Sequence, residues 1–322
     1  MQVSIKLDAT TVTPTKSNKI IMSRTQWNMK RNWPLHVMLV PAALILFIFH
    51  YVPMAGLVMA FQEYKPWLGF SKSPWVGLQH FEDLFRFKES LQVIGNTLII
   101  ATSKIVFHLI VPYIFALLLN EVRVTFFKRT VQTLVYLPHF LSWVILGGIF
   151  LDVLSMDGGI VNHFLGLFGA GPIFFLGNGD WFRITIVATD VWKDFGFATI
   201  IFLAALSGIN PESYEAAVID GANRWQQTVS ITMPSLVPIA IVVGTLSLGG
   251  ILNAGFDQIF NLYNPLVYSK GDIIDTYVYR IALLGGSFSF GTAVGMFKSV
   301  ISFVLIVISY RLAYKFANYR IF

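Results

Sequence analysis

WQQTVSITMPSLVPIAIVVGTLSLGGILNAGF, residues Trp225 to Phe256, runs for thirty-two residues without an Asp, Glu, Lys or Arg. A helix crosses the roughly 30 Å hydrocarbon layer of a bilayer with about 20 apolar residues, so this stretch exceeds what a span needs. Further charge-free runs occupy Asn32 to Gln62, Thr130 to Leu151 and Ile281 to Phe297. The whole chain is 55% hydrophobic and only 12% charged, about half the charge a soluble domain carries. Long runs rich in Leu, Ile, Val and Phe, without ten-residue alternation, select helices over a barrel. The sequence predicts an all-α integral membrane protein with about six transmembrane helices, at 35–61, 92–119, 130–151, 184–207, 235–256 and 291–314.

Orientation follows from Lys and Arg. With the N-terminus inside, thirteen basic residues fall in cytoplasmic segments and seven outside, the sense the positive-inside rule requires. Both termini are then cytoplasmic. Residues 1–31 form a polar, basic cytoplasmic arm and 32–322 the transmembrane domain, with cytoplasmic loop 208–234. The net charge of +6 is gathered at helix ends and in this arm, which argues against nucleic acid. The first apolar run exceeds a signal-peptide core and reads as an uncleaved span. Gly158 to Leu176, apolar and glycine-rich, reads as a re-entrant or interfacial segment.

Loop 208–234 is the exception to the charge rule, with one Arg against three acids. Asn210-Pro211-Glu212-Ser213-Tyr214-Glu215-Ala216-Ala217-Val218-Ile219-Asp220-Gly221 has the punctuation of a short helix. Asn210 suits the N-cap, Pro211 the first helical position and Gly221 a left-handed stop. Anionic headgroups would repel Glu212, Glu215 and Asp220, so the acidity points to a protein partner rather than a lipid surface.

Glu215-Ala216-Ala217, three residues, Gly221, nine residues, then Ile231-Thr232-Met233-Pro234 resembles the EAA loop of binding-protein-dependent ATP-binding-cassette importer permeases. Met233 departs from the usual Leu, a volume-conserving change. Ser73-Pro74-Trp75-Val76-Gly77-Leu78, Leu137-Pro138-His139-Phe140 and Asn253-Ala254-Gly255-Phe256-Asp257-Gln258 resemble the carbohydrate branch. Tyr263-Asn264-Pro265-Leu266-Val267-Tyr268 and Asp272 to Arg280 resemble the polysaccharide-type, LplB-like permeases, nearest to the first permease of bacterial alginate importers. The resemblance implies a type I importer permease fold and four kinds of contact. These are a second homologous permease subunit, two ATP-binding subunits, a periplasmic solute-binding protein and the lipid bilayer. It further implies that Glu215, Ala216, Ala217, Asp220, Gly221 and Pro234 couple to the ATPase.

No G-x-x-x-x-G-K-[ST] occurs, so ATP and Mg are expected on the partner ATPase and no cofactor in this chain. Without cysteine there are no thiolate metal sites, and His36, His50, His80, His108, His139 and His163 lack metal-ligand spacing. Neither a metal nor a catalytic site is expected. Polar groups inside spans are costly and face protein or water. They nominate Asn96, Lys104, Asp190, Lys193, Asp194, Asn253, Asp257 and Lys298 for the substrate path, with Trp192 beside them as an aromatic to stack on a sugar ring. Asp190 and Lys193, three residues apart, also read as an internal ion pair, while Lys104, Lys193 and Lys298 point to an acidic oligosaccharide. Two other classes remain open at this level: an ion-coupled transporter relaying through Asp190, Asp194 and Lys193, and a membrane-embedded glycosyl-transfer enzyme. The scattered acids supply no metal cluster for the enzyme.

Overall fold

The computed structural model describes residues 29–317, with side chains at 33, 34 and 36–312. The expectation for the N-terminal arm therefore lies almost wholly outside the described residues. Two compact units divide between Ala55 and Gly56. In the first, α1 (Met29–Leu46) is apolar and continues into a π turn, Phe47–Tyr51.

The described part of the second unit is mainly helical. Its principal helices are α2 (Gln79–Arg86), α3 (Lys88–Glu121), α4 (Thr125–Tyr136), α5 (Trp143–Val153), α6 (Ile160–Leu167) and α7 (Gly179–Ser207). They are followed by α8 (Pro211–Ile219), α9 (Met233–Leu248), α10 (Phe256–Leu262), α11 (Ile274–Val278) and α12 (Phe288–Ala317). Among the described residues, His36–Phe61, Lys88–Glu121, Arg224–Leu248 and Phe288–Leu312 are each long and apolar enough to cross a membrane. Two further pairs pass together, α4 with α5 and α7 with α8, bent by 102° and 68°. The count thus runs from four to six.

Two of the expected spans are not straight rods. Span 130–151 breaks at Leu137–Phe140, where Pro138 has no N–H to continue an α-helix. The helix expected at 235–256 starts earlier and ends at Leu248; Gly249 and Gly250 begin a turn, and the chain re-enters helix only at Phe256. Gly255 in that turn has φ +95°, and a Cβ there would lie 2.7 Å from the Lys104 ammonium. Only glycine suits both demands. The apolar stretch 158–176 yields just one short helix, α6, of 8 residues, about 12 Å long and too short to span. Asn162 holds its ends together by bonding Ser155 O, Ile173 O and Ile173 N.

The interior lies along α3 and α7, which run side by side. Ile100, Ala101, Phe182, Ile186, Ala254 and Ile259 form one buried cluster; Ala116, Leu117, Phe202, Leu206 and Leu236 form another further along the same helices. Within lipid, helices associate by close packing rather than by excluding water, so small residues mark the contacts. Gly196 is such a point, since a Cβ built there would fall on the backbone carbonyl of Val135. Gly196→Leu is expected to force α4 from α7 and to cost about 1–3 kcal/mol, seen as a lower unfolding midpoint in detergent. Gly148→Leu, where no atom lies within 4 Å, is the matched control and should leave the midpoint in place.

Candidate functional site

Loop 208–234 is built from local rules. Asn210 Oδ1 accepts the Glu212 N–H at 3.1 Å and Pro211 takes the first helical position. At the far end Ala222 N donates to Ala217 O and Gly221 N to Val218 O, the paired bonds of a Schellman stop with Gly221 at φ +79°. The helix α8 therefore ends at Ile219, one residue earlier than its sequence suggested. Tyr214 and Ala217 are half-buried; Glu215, Ala216 and Asp220 are exposed. So are Val218 and Ile219, the latter at 86%.

Three side-chain links tie this loop to the membrane helices. Tyr214 and Thr232 share a hydroxyl–hydroxyl hydrogen bond of 2.9 Å. Arg224 lies 3.6 Å from Glu121 at the end of α3, and Thr228 Oγ1 donates to the same carboxylate. Thr232 closes a π turn, Thr228–Thr232, directly before Pro234. The widened turn lets one continuous helix, Arg224–Leu248, take a proline that has no N–H to give. If the Tyr214–Thr232 bond carries force, Tyr214→Phe and Thr232→Val should each lower ATP-driven uptake about three- to tenfold, the equivalent of one hydrogen bond. The double variant should lose no more than either single. Additive losses measured in uptake would show that the two hydroxyls act separately.

A second polar region lies where the two broken spans meet α7. The buried Lys104 ammonium donates to Asp190 Oδ1 at 3.0 Å, Ala254 O at 2.8 Å and Gln258 Oε1 at 2.5 Å. His108 Nε2 lies 2.8 Å from the other Asp190 oxygen. Gln258, fully buried, donates to Ile186 O and Thr189 Oγ1, both at 2.8 Å. On the next turn of α7, Asp194 Oδ1 receives His139 Nδ1 at 2.7 Å, and Lys193 Nζ donates to His139 O at 2.8 Å. Asp190 is thus paired with Lys104 and His108, not with Lys193. His108, Asp190 and Asp194 bring ligand-type atoms within 4.8 Å of one another. Lys104 and Lys193 already balance those two carboxylates, so a metal ion would enter a neutral site.

The nominated path residues separate into two groups. Asn96, Lys104, Lys193 and Lys298 bond within the chain. Asn96 donates to the carbonyls of Ser269 and Asp272 and accepts from Arg183, while Lys298 meets Asp275 at 2.6 Å. Trp192, Asn253 and Asp257 are exposed, and Asp194 is partly so. Among the described residues, the side chains of Asn253 and Asp257 have no hydrogen-bond or ion partner. Beside Asp257 an aromatic row follows α10: Phe256 to Phe260 at 5.2 Å, Phe260 to Tyr279 at 5.0 Å, and Tyr263 to Tyr268 at 5.2 Å. The Arg280 guanidinium sits 4.2 Å over Tyr268 and binds Asp272 at 2.6 Å. Burial, with help from Tyr268 and Asp272, pushes the Tyr263 phenol up to about 12. It therefore remains a hydrogen-bond donor at neutral pH.

Sequence reasoning did not single out Gln258, His108, Glu121, the Tyr214–Thr232 bond or the outward Val218 and Ile219 as functional. Only the last pair left a signal, two apolar residues beside the charged end of a short helix.

Comparison with known proteins bears on both regions. Residues 108–321 match the family described as binding-protein-dependent transport system inner membrane component. The chain is 42% identical over 294 residues to protein LplB of Bacillus subtilis (strain 168), covering 91% of this chain and 92% of that protein. It is 41% identical over 288 residues to the polygalacturonan/rhamnogalacturonan transport system permease protein YteP of the same organism, covering 89% and 90%. Two crystal structures share the fold at 38% identity. One is a bacterial ABC transporter involved in import of the acidic polysaccharide alginate (TM-score 0.82, covering 89% of this chain and 97% of that one). The other is a bacterial alginate ABC transporter in complex with alginate pentasaccharide-bound periplasmic protein (TM-score 0.83, covering 92% and 99%).

Proposed function

The chain belongs to the family of binding-protein-dependent transport system inner membrane components, and from that membership we propose that it carries acidic oligosaccharides inward as one of two homologous permease subunits. As a family member it is an ABC importer permease, a multi-pass inner-membrane transport subunit and not an enzyme. In this reading the remaining partners are two ATP-binding subunits, which hold ATP and Mg, and a periplasmic solute-binding protein. Both chain termini lie in the cytoplasm, as the Lys and Arg distribution favours.

The single observation that carries the coupling assignment is the exposure of α8. It is a rigidly stopped, acidic helix whose Glu215, Ala216, Val218 and Ile219 face outward with no partner of their own. Such a knob suits insertion into a cleft on the ATPase, with Asp220, Gly221 and Pro234 fixing its angle to the membrane helices. Closure of the nucleotide sites then moves the loop as a body and rocks the spans. The path edge is Trp192, Asn253, Asp257 and the rings of Phe256 and Phe260, supported by the exposure of Trp192, Asn253, Asp257 and Phe260 and the half-exposure of Phe256. The acidic cargo is supported by the transport systems of the relatives, which name polygalacturonan and alginate.

Co-purification of the ATPase, followed by its stimulation with binding protein loaded with acidic or neutral oligosaccharides, tests each part. Stimulation by an alginate pentasaccharide is the expected result. Neutral sugars active and acidic ones inert would overturn the cargo; no stimulation by any oligosaccharide would overturn the oligosaccharide importer.

A further inference from the structure

Hydrocarbon offers no hydrogen bonds, so a span broken inside it must find partners for the carbonyls that the break releases. Among the described residues two segments leave helix in this way: Leu137–Phe140, between the bent pair α4 and α5, and 249–255, between the end of the Arg224–Leu248 span and α10. At the first, the His139 carbonyl receives the Lys193 ammonium at 2.8 Å; at the second, the Ala254 carbonyl receives the Lys104 ammonium, also at 2.8 Å. Among the described residues, no backbone N–H is paired with either carbonyl.

Each ammonium lies against a carboxylate of α7, Lys193 at 3.5 Å from Asp194 and Lys104 at 3.0 Å from Asp190. Each carboxylate also holds a histidine, at 2.7 Å for His139 and 2.8 Å for His108. Asp190 and Asp194 stand one above the other on α7 by their i, i+4 spacing. The same lysine–carboxylate–histidine unit is built twice, and each copy ends on one of these two carbonyls.

We propose that Lys104 and Lys193 are positioning residues that fasten the segment after α9 and the α4–α5 break to α7, so that α7 and these two segments move as one body during transport. A lysine has three N–H donors, and Lys104 directs them to Asp190, Ala254 and Gln258. None is left for a substrate. Lys193 is nearly as enclosed, with 7% exposure. Lys104 therefore holds Asn253 and Asp257 in register with α7, and Lys193 holds the Leu137–Phe140 turn, instead of drawing in an acidic cargo. For the transport cycle itself this inference rests on the importer reading above.

Because the chain has no cysteine, one spin-label pair can be placed cleanly at the exposed Val144 of α5 and Ile201 of α7. In the assembled complex the distance distribution should stay narrow with and without ATP. Lys193→Met should broaden it, and Lys193→Arg should restore it; an unchanged width in Lys193→Met would overturn the fastening. The second measurement is ATP hydrolysed per sugar imported, a ratio that simple loss of folded protein leaves unmoved. Lys104→Met and Lys193→Met should raise it about fivefold, equally for an alginate pentasaccharide and a neutral maltopentaose. Losses confined to the acidic sugar would show the lysines to be cargo ligands and overturn the proposal. If the unmodified complex shows no sugar-stimulated hydrolysis, the importer reading fails, and the label distances still decide the fastening.

Discussion

Glu215→Arg is expected to weaken ATPase association and sugar uptake about 100-fold or more, while the membrane helices keep their packing. Glu215 stands exposed on α8 with no side-chain partner among the described residues, so its reversal breaks no contact described within the chain. In a desolvated contact, removing one member of a hydrogen-bonded charge pair costs about 2–5 kcal/mol, and each 1.4 kcal/mol is tenfold. Gly221→Asp should act differently and more mildly. No atom lies within 4 Å of a Cβ at Gly221, so its cost comes from φ +79° alone, about 1–2 kcal/mol for a residue with a side chain. Gly221→Asn should lose less, because Asn tolerates that conformation. Capture of the ATPase by detergent-solubilised permease, read beside the unfolding midpoint, checks all three variants. Full capture by Glu215→Arg and Gly221→Asp would remove α8 from the docking site.

Asp190→Leu should bring the largest loss of stability of any single change in the polar network. It leaves Lys104, only 6% exposed, as a buried ammonium without its carboxylate, and such broken pairs cost about 3–5 kcal/mol. His108 loses its partner in the same step. Asp190→Asn keeps one acceptor oxygen for Lys104 and turns its NH2 toward His108, whose neutral ring nitrogen can accept it, and should cost less. The double variant Lys104→Met with Asp190→Leu removes the uncompensated charge and should regain more than half of the lost unfolding midpoint. It should not regain uptake, because the Ala254 carbonyl remains without a donor. An unchanged midpoint in Asp190→Leu would mean that the ion pair bears no part of the fold.

The spans were legible because hydrocarbon imposes a length and a composition, both of which a sequence displays directly. The ends of α8 were legible for a related reason: Asn210, Pro211 and Gly221 each act on the backbone within a residue or two. The breaks were harder to see. Pro138 and the pair Gly249-Gly250 lie within apolar runs, and hydropathy does not record the direction of the chain. Charge pairing was harder again. Asp190 and Lys193 have the spacing of a helical ion pair, yet each finds a stronger partner across the fold. Lys104 is 86 residues from Asp190 and 150 from Ala254, separations that no local rule reaches. The three lysines that suggested an acidic cargo are thus accounted for by Asp190, Asp194, Asp275 and two backbone carbonyls.

The π turn at Thr228–Thr232 has a geometric consequence of its own. It holds one residue more than the α-helical turn it replaces, and each residue of an α-helix advances the azimuth by roughly 100°. Drawing the same residues into regular α-helix, with none deleted, would swing the whole loop by about that angle around the axis of α9. Val218 and Ile219 would then point in a different direction, although every residue of α8 kept its identity. The surplus residue acts as the index mark that sets the compass bearing of the loop.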